Sequence, residues 1–334
     1  MSGSRVREAG RRRPVLALVI AVLTSATAVL VAMATEPEES AASTPADMVA
    51  ERLGAVEDWA ASRQARVSLA FVDRATGERV GLRAEQQVLT ASVAKLFIAS
   101  QLAFLDVTGE RAATIEDDAL LDAMLSASDD GAATVLWDAL GGPDLVGAVA
   151  GRYGLSGTAA PVDGLWWHTS TTASDIAQFY NQLLDERSAV VLRALPGIRS
   201  EPNWADRILG YLGQWTEVGA DGYDQSFGLP AAFGAGSVGD GSVGSLGALK
   251  QGWMCCVDAQ WIHLTTGTFG PGSRYILVVQ ATEDVQYTDG TEELPDTPLE
   301  IVADDESARH ARETVSGVVA ALIPDGMLDG DGWS

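Results

Sequence analysis

Lysine is nearly missing from this chain. All but two of its 22 basic residues are arginines, and the two lysines are Lys95, in "LTASVAKLFIAS", and Lys250, in "ALKQGW". Arginine is effectively always charged, whereas a buried lysine can lose its proton and act as a base, so positions that move protons resist replacement by arginine. Cysteine is as scarce: Cys255 and Cys256 are adjacent, and two residues exclude a disulfide framework. Neighbours on a strand point to opposite faces, so two buried thiols packing as small apolar groups are expected rather than a bond between them. The three histidines, His168, His263 and His310, form no His-x-His or His-x-x-x-His pair, which disfavours a metal-dependent hydrolase and implies no cofactor. Positive charge is short overall. A formal net charge of −24 argues against nucleic acid and anionic lipid as partners, and it would repel a substrate carboxylate unless a local cation met it.

What is present is enough apolar residue, 47% of 334, to bury one large core or two closely joined ones. The chain begins with basic "SRVREAGRRRP", followed by the uncharged run Val15 to Ala34 with Ala-x-Ala sites ending at Ala28 and Ala34. Residues 1–34 therefore read as an export segment, either cleaved as a signal peptide or kept as a membrane anchor with its basic end in the cytoplasm. Either outcome places the rest outside the cytoplasm, with membrane contact only through residues 14–34 if they are kept. Residues 35–47, "TEPEESAASTPAD", read as a tether.

From Met48 to Arg63, apolar residues at three- and four-residue spacing predict a helix, and "RVSLAFVDRATGERVGLRAE" predicts a hairpin. Residues 111–244 are mostly helical patterning broken by glycine loops. "ALKQGWMCCV", "QWIHLTTGTF" and "RYILVVQATE" then read as successive strands, before a last helix over Asp305 to Ile323. Strands at both ends with helices between them predict an α+β fold: one antiparallel sheet, residues 48–110 and 245–325, with an inserted helical part, within a domain spanning 48–325.

Three short motifs bear on chemistry. In Ser92-x-x-Lys95, a Thr90 cap would put Ser92 in the first helical turn, where unpaired N–H groups favour negative charge, with Lys95 one turn along the same face. That is a nucleophile beside a base. The second is Ser128-Asp129-Asp130, opening a helix, and the third is Lys250-Gln251-Gly252-Trp253 on a late strand. In this order they resemble the S-x-x-K, S-D-N and K-T-G set of class A β-lactamases and penicillin-binding proteins. "SDDGAATVLWDALGGP" and "TSTTASDIAQFYNQLL" extend the likeness, which is to the exported actinobacterial members with a K-x-G-W third motif. The resemblance implies a five-stranded antiparallel sheet flanked by helices, a monomer, and a small-molecule or peptide substrate such as a β-lactam, a stem peptide or an ester. It implies Ser92 as acylated nucleophile, Lys95 as its base, Ser128 as proton donor to the leaving nitrogen, Lys250 as holder of a substrate carboxylate, and the Ser92 and Trp253 amides as oxyanion hole. Asp130, Gln251, Gly252 and Trp253 are the implied substrate contacts.

Two departures stand out. Asp130 occupies the place of an asparagine, and a carboxylate only accepts hydrogen bonds; Gln251 replaces a threonine, although its amide still has donors for a carboxylate. The family's water-activating glutamate has no counterpart between Gly142 and Thr171, where Asp163 is the carboxylate left as a possible deacylation base. The expectation is a serine acyl-enzyme hydrolase with slow deacylation, the alternative a silent member that binds cell-wall peptide or a partner. Trp166, Trp167 and Trp253 are candidates for an apolar pocket, with core packing the simpler reading of the first two.

Overall fold

A computed structural model describes residues 43–193, 204–234, 246–291, 294 and 305–328. The export segment and most of the expected tether lie outside the described residues, which fall in one unit beginning at Ser43. Helix α1 (Pro45–Ser62) starts earlier than the apolar spacing predicts. Thr44 and Asp47 form a reciprocal capping box, each side chain accepting from the other's backbone N–H at 3.1 and 3.0 Å, with Pro45 at the first helical position.

The chain then forms β1 (Ala65–Asp73) and β2 (Arg79–Leu82), an antiparallel hairpin. The short strand β3 (Val88–Leu89) leads through Thr90 into a 3₁₀ turn, Ala91–Ala94, and straight on into α2 (Lys95–Thr108). Four helices follow: α3 (Ile115–Ser126), α4 (Asp130–Ala139), α5 (Pro143–Tyr153) and, after β4 (Ser170–Thr171), α6 (Ala173–Arg193). β4 pairs with β3, Leu89 opposite Ser170. Beyond them come α7 (Trp204–Leu212), the short α8 (Leu229–Phe233), strands β5 (Leu246–Val257), β6 (Gln260–Phe269) and β7 (Tyr275–Asp284), and α9 (Glu306–Leu322).

The five long strands form one antiparallel sheet in the order β2-β1-β7-β6-β5, so the N-terminal hairpin and the three late strands join at β1–β7. Both faces are apolar, which is why these strands read as unbroken hydrophobic runs. Leu69, Phe71, Leu277 and Val279 pack toward α1 and α9, while Ala70, Val72, Ile276 and Val278 face the helical part. Through the middle of that part runs α2, whose first nine residues, Lys95 to Ala103, are all buried. A helix apolar all round belongs in a core.

Cys255 and Cys256 are joined as a disulfide across their own peptide link, half-buried near the end of β5, so the expectation of two free buried thiols is corrected. Helices α1 and α9 meet at Trp59, whose Nε1 donates to the Thr314 carbonyl at 2.9 Å and whose ring lies under the Arg63 guanidinium. A Cβ on Gly317 would overlap that anchored ring. Gly317→Ala should therefore lower stability by about 1–3 kcal/mol, the usual cost of overpacking, read as a reduced denaturation midpoint with an unchanged denaturant slope.

Candidate active site

The site assembles where four segments meet at one nitrogen. Lys95 is the first residue of α2, and its fully buried Nζ lies 2.8 Å from Ser92 Oγ, 2.6 Å from the Ser128 carbonyl oxygen, 3.1 Å from Ser128 Oγ and 2.5 Å from Asp130 Oδ1. Two of these partners, a carbonyl and a carboxylate, can only accept, so they take two N–H groups of Lys95 in either charge state. The remaining position faces the hydroxyls. It is a third N–H when the lysine is an ammonium, and a lone pair able to accept the Ser92 proton when it is neutral. Burial lowers the proton affinity of Lys95 and the Asp130 carboxylate raises it, the net shift being downward.

Local structure explains why these groups meet. Ser92 sits in the 3₁₀ turn, and Ala91 before it has φ +44°; Ser128, in the loop ahead of α4, has φ +57°. Left-handed conformations in non-glycine residues cost about 1–3 kcal/mol each and are held only where surrounding packing dictates them. Asp129 caps α4 by accepting from Ala132 N at 2.7 Å, which orients Asp130 as the first helical residue. On the other wall, Lys250 Nζ donates to Ser128 Oγ at 2.9 Å and to the Gln251 carbonyl at 2.9 Å. Lys250 is also buried, and desolvation together with the neighbouring Lys95 charge pushes its proton affinity well down. Asp221, exposed in the loop before Tyr223, adds negative potential at both lysines.

Gly252 is where β5 touches the Ser92 turn. A Cβ there would sit 2.9 Å from the Thr90 carbonyl oxygen and 3.3 Å from Val93 N, so only glycine allows this approach. The next residue, Trp253, is half-buried and stacks on Tyr223 with ring centroids 3.9 Å apart, while the Tyr223 hydroxyl is 2.7 Å from His263 Nε2. Burial pushes His263 down to about 3, keeping it neutral behind the strand.

Several expectations change. Thr90 does not cap a helix: its backbone is helical and its buried hydroxyl makes no hydrogen bond, so Ser92 belongs to a 3₁₀ turn rather than the first α-turn. Gln251 does not offer donors to a carboxylate, because its Nε2 is spent on the Gln225 and Phe227 carbonyls at 3.1 and 2.6 Å. Asp163 is exposed, with one oxygen on the Leu165 amide and the other 2.5 Å from His168 Nδ1, a pairing that lowers its proton affinity. Against Lys95 stands Trp166 instead, buried, with the ammonium position 4.9 Å from the ring centroid and its own Nε1 donating to Thr134 Oγ1. The sequence carried no signal for Asp221 or for the Tyr223 stack, since both come from a glycine-rich loop without periodicity.

No protein-family model matches the chain. It is 38% identical over 277 residues, 83% of its own length and 76% of theirs, to proteins named "Putative lipoprotein LppW" in Mycobacterium tuberculosis and Mycobacterium bovis. The chain belongs to the LppW family. Solved structures extend the likeness at the level of fold. A β-lactamase from Sphaerobacter thermophilus superposes with a TM-score of 0.54 at 16% identity, covering 84% of this chain and 97% of that one. A class A β-lactamase from Mycobacterium abscessus does so at 0.53 and 15%, covering 81% and 98%. This LppW-family chain thus has the class A β-lactamase fold.

Because the Gly252 contact sets the distance between β5 and the Ser92 turn, Gly252→Ala should cut the rate of Ser92 modification by an acylating probe about tenfold or more. A misplacement of the order of 1 Å is enough for such a loss. Unchanged circular dichroism alongside slower labelling is the expected result.

Proposed function

We propose that this protein is an extracytoplasmic serine hydrolase that cleaves amide or ester bonds through an acyl-enzyme on Ser92 and releases the acyl group slowly. The observation that carries the reading is the 2.8 Å separation of Ser92 Oγ from a fully buried Lys95 Nζ, within reach for proton transfer. In acylation, Ser92 Oγ bonds to the substrate carbonyl carbon as its proton passes to Lys95. The proton then reaches the departing nitrogen or oxygen through Ser128 Oγ, 3.1 Å from Lys95 and 2.9 Å from Lys250. The Ser92 and Trp253 amides are the proposed oxyanion donors, the loss of one donor of this kind costing about 3–4 kcal/mol. The export segment read in the sequence supports the location.

Slow release follows from what surrounds Lys95. Trp166 fills the wall against its Nζ, and an indole accepts no proton from water, while Asp163 is engaged with His168. General-base assistance contributes about two to four powers of ten in rate, and its loss leaves the ester standing. Incubation with a fluorophosphonate or an activated ester should give a covalent adduct by intact mass, and the ester adduct should persist for minutes or longer. Ser92→Ala should give none. Rapid penicillin turnover by the unmodified chain would contradict slow release.

A second reading, a silent binding module, rests on one observation: Asp130 at 2.5 Å favours the ammonium form of Lys95, which cannot accept a proton. The pH dependence separates the two. If Lys95 is the base, acylation rises with pH through its proton affinity, which lies below that of an ordinary lysine. Removing the carboxylate that raises it, in Asp130→Asn, should move that rise to lower pH. No adduct at any pH would favour the binding module, whereas a pH-independent rate in both proteins would remove Lys95 as the base.

A further inference from the structure

Among the groups at Ser92, the side chains able to donate are turned inward and one able to accept is turned outward. Lys250 Nζ is buried and committed to Ser128 Oγ and the Gln251 carbonyl. The Gln251 amide is closed off by two backbone carbonyls. Lys95 is fully buried. Asp130, by contrast, is 61% exposed; its Oδ1 meets Lys95, and its second oxygen has no partner among the described residues. One nitrogen, Lys95 Nζ, separates that carboxylate from the Ser92 hydroxyl, and Ser92 is itself partly open to solvent.

An acyl group on Ser92 is therefore linked through Lys95 Nζ to a carboxylate whose outward oxygen has no partner among the described residues and only accepts hydrogen bonds. A carboxylate on the substrate there would meet like charge, whereas an ammonium would find an ion pair with charge-assisted hydrogen bonds. The chain's overall charge of −24 acts in the same direction at longer range. We propose that the acyl donor of this site carries a protonated amino group on the carbon next to the scissile carbonyl, seated against Asp130: an aminoacyl or peptidyl ester or amide with a free N-terminus. This rests on acylation of Ser92. It names the substrate class by charge, and it replaces the carboxylate-bearing donor that the motifs alone imply.

The test compares three benzyl esters of alanine, each in D and L form: free amine, N-acetyl and N-succinyl. In each, the Ser92 Oγ–carbon bond forms, the bond to benzyl alcohol breaks, the serine proton leaves with the alcohol, and water later frees the alanine derivative. kcat/KM from benzyl alcohol release reports steps up to acylation, so slow release does not obscure it. The free amine should exceed the N-acetyl ester by about tenfold or more and the N-succinyl ester by more again, with both ratios narrowing as salt rises. Asp130→Asn should bring the free-amine to N-acetyl ratio to within about twofold, and Asp130→Glu, which keeps the charge, should retain the preference. Equal or faster use of the N-acetyl or N-succinyl ester, or an unchanged ratio in Asp130→Asn, overturns the inference. Labelling of Ser92 by a fluorophosphonate without free-amine preference overturns it alone, whereas no labelling and no turnover of any ester overturns the acyl-enzyme reading as well.

Discussion

A lysine with no solvent exposure is a demand on everything around it. Removing an ammonium from water costs several kcal/mol even after relaxation, and a buried cation survives only where fixed acceptors replace the lost water. Lys95 receives them from its own turn, from the loop carrying Ser128, and from the first residue of α4, with the face of Trp166 completing the enclosure. The left-handed backbone at Ala91 and Ser128 is understandable on these terms. Each bends its segment so that an oxygen reaches the same nitrogen. Further tethers hold the loop in place: Thr216 N and Ala220 N donate to the Ser126 and Ala127 carbonyls at 3.0 and 2.7 Å.

The opposite wall is set by the sheet. Strand β5 lies at its edge, paired through Lys250–Thr266 and Trp253–His263 to β6. Thr266 Oγ1 donates to the Lys250 carbonyl at 2.7 Å, and the buried Tyr180 hydroxyl lies 3.1 Å from the same Oγ1, so α6 braces the strand from the helical side. With Gly252 against Thr90, the two lysines come to share Ser128 Oγ between them. Two cations that close cannot both stay protonated at ordinary proton affinity. Burial lowers the proton affinity of both, and the neighbouring Lys95 charge lowers that of Lys250 further.

In the proposed function the fold carries acylation without a carboxylate assigned to activate water. The β-lactamase fold brings the Ser92 turn, the Ser128 loop and edge strand β5 together, but a fold does not fix the chemistry done there. On the proposed function it turns on a tryptophan and an aspartate, both on the helical side. In the proposed reading Trp166 takes a place beside Lys95 where a water-activating base could stand, and Asp130, at the mouth, selects the charge of what approaches.

Much was legible in the sequence. The sheet was, because strands buried on both faces leave unbroken apolar runs and their turns are marked by Gly77, Asp258 and Gly270. Lys95 and Lys250 stood out because lysine is otherwise absent, and Ser92 and Ser128 because their motifs resemble the S-x-x-K and S-D-N of the class A set. What tertiary structure alone decided were the partners of groups whose type allows several. Gln251 has donors in any sequence, and only the loop at Gln225 and Phe227 showed them spent. Asp163 looked like an available carboxylate until His168 was found against it. Cys255 and Cys256 read as separate thiols from strand alternation, which describes side chains on a regular strand and says nothing of a bond between neighbours. Trp166 read as core, and its burial is correct, but its ring also faces Lys95 from 71 residues away in the chain. Residue type is local and is written in the sequence; which hydrogen-bond partner is chosen depends on segments far apart in the chain, and only folding brings them together.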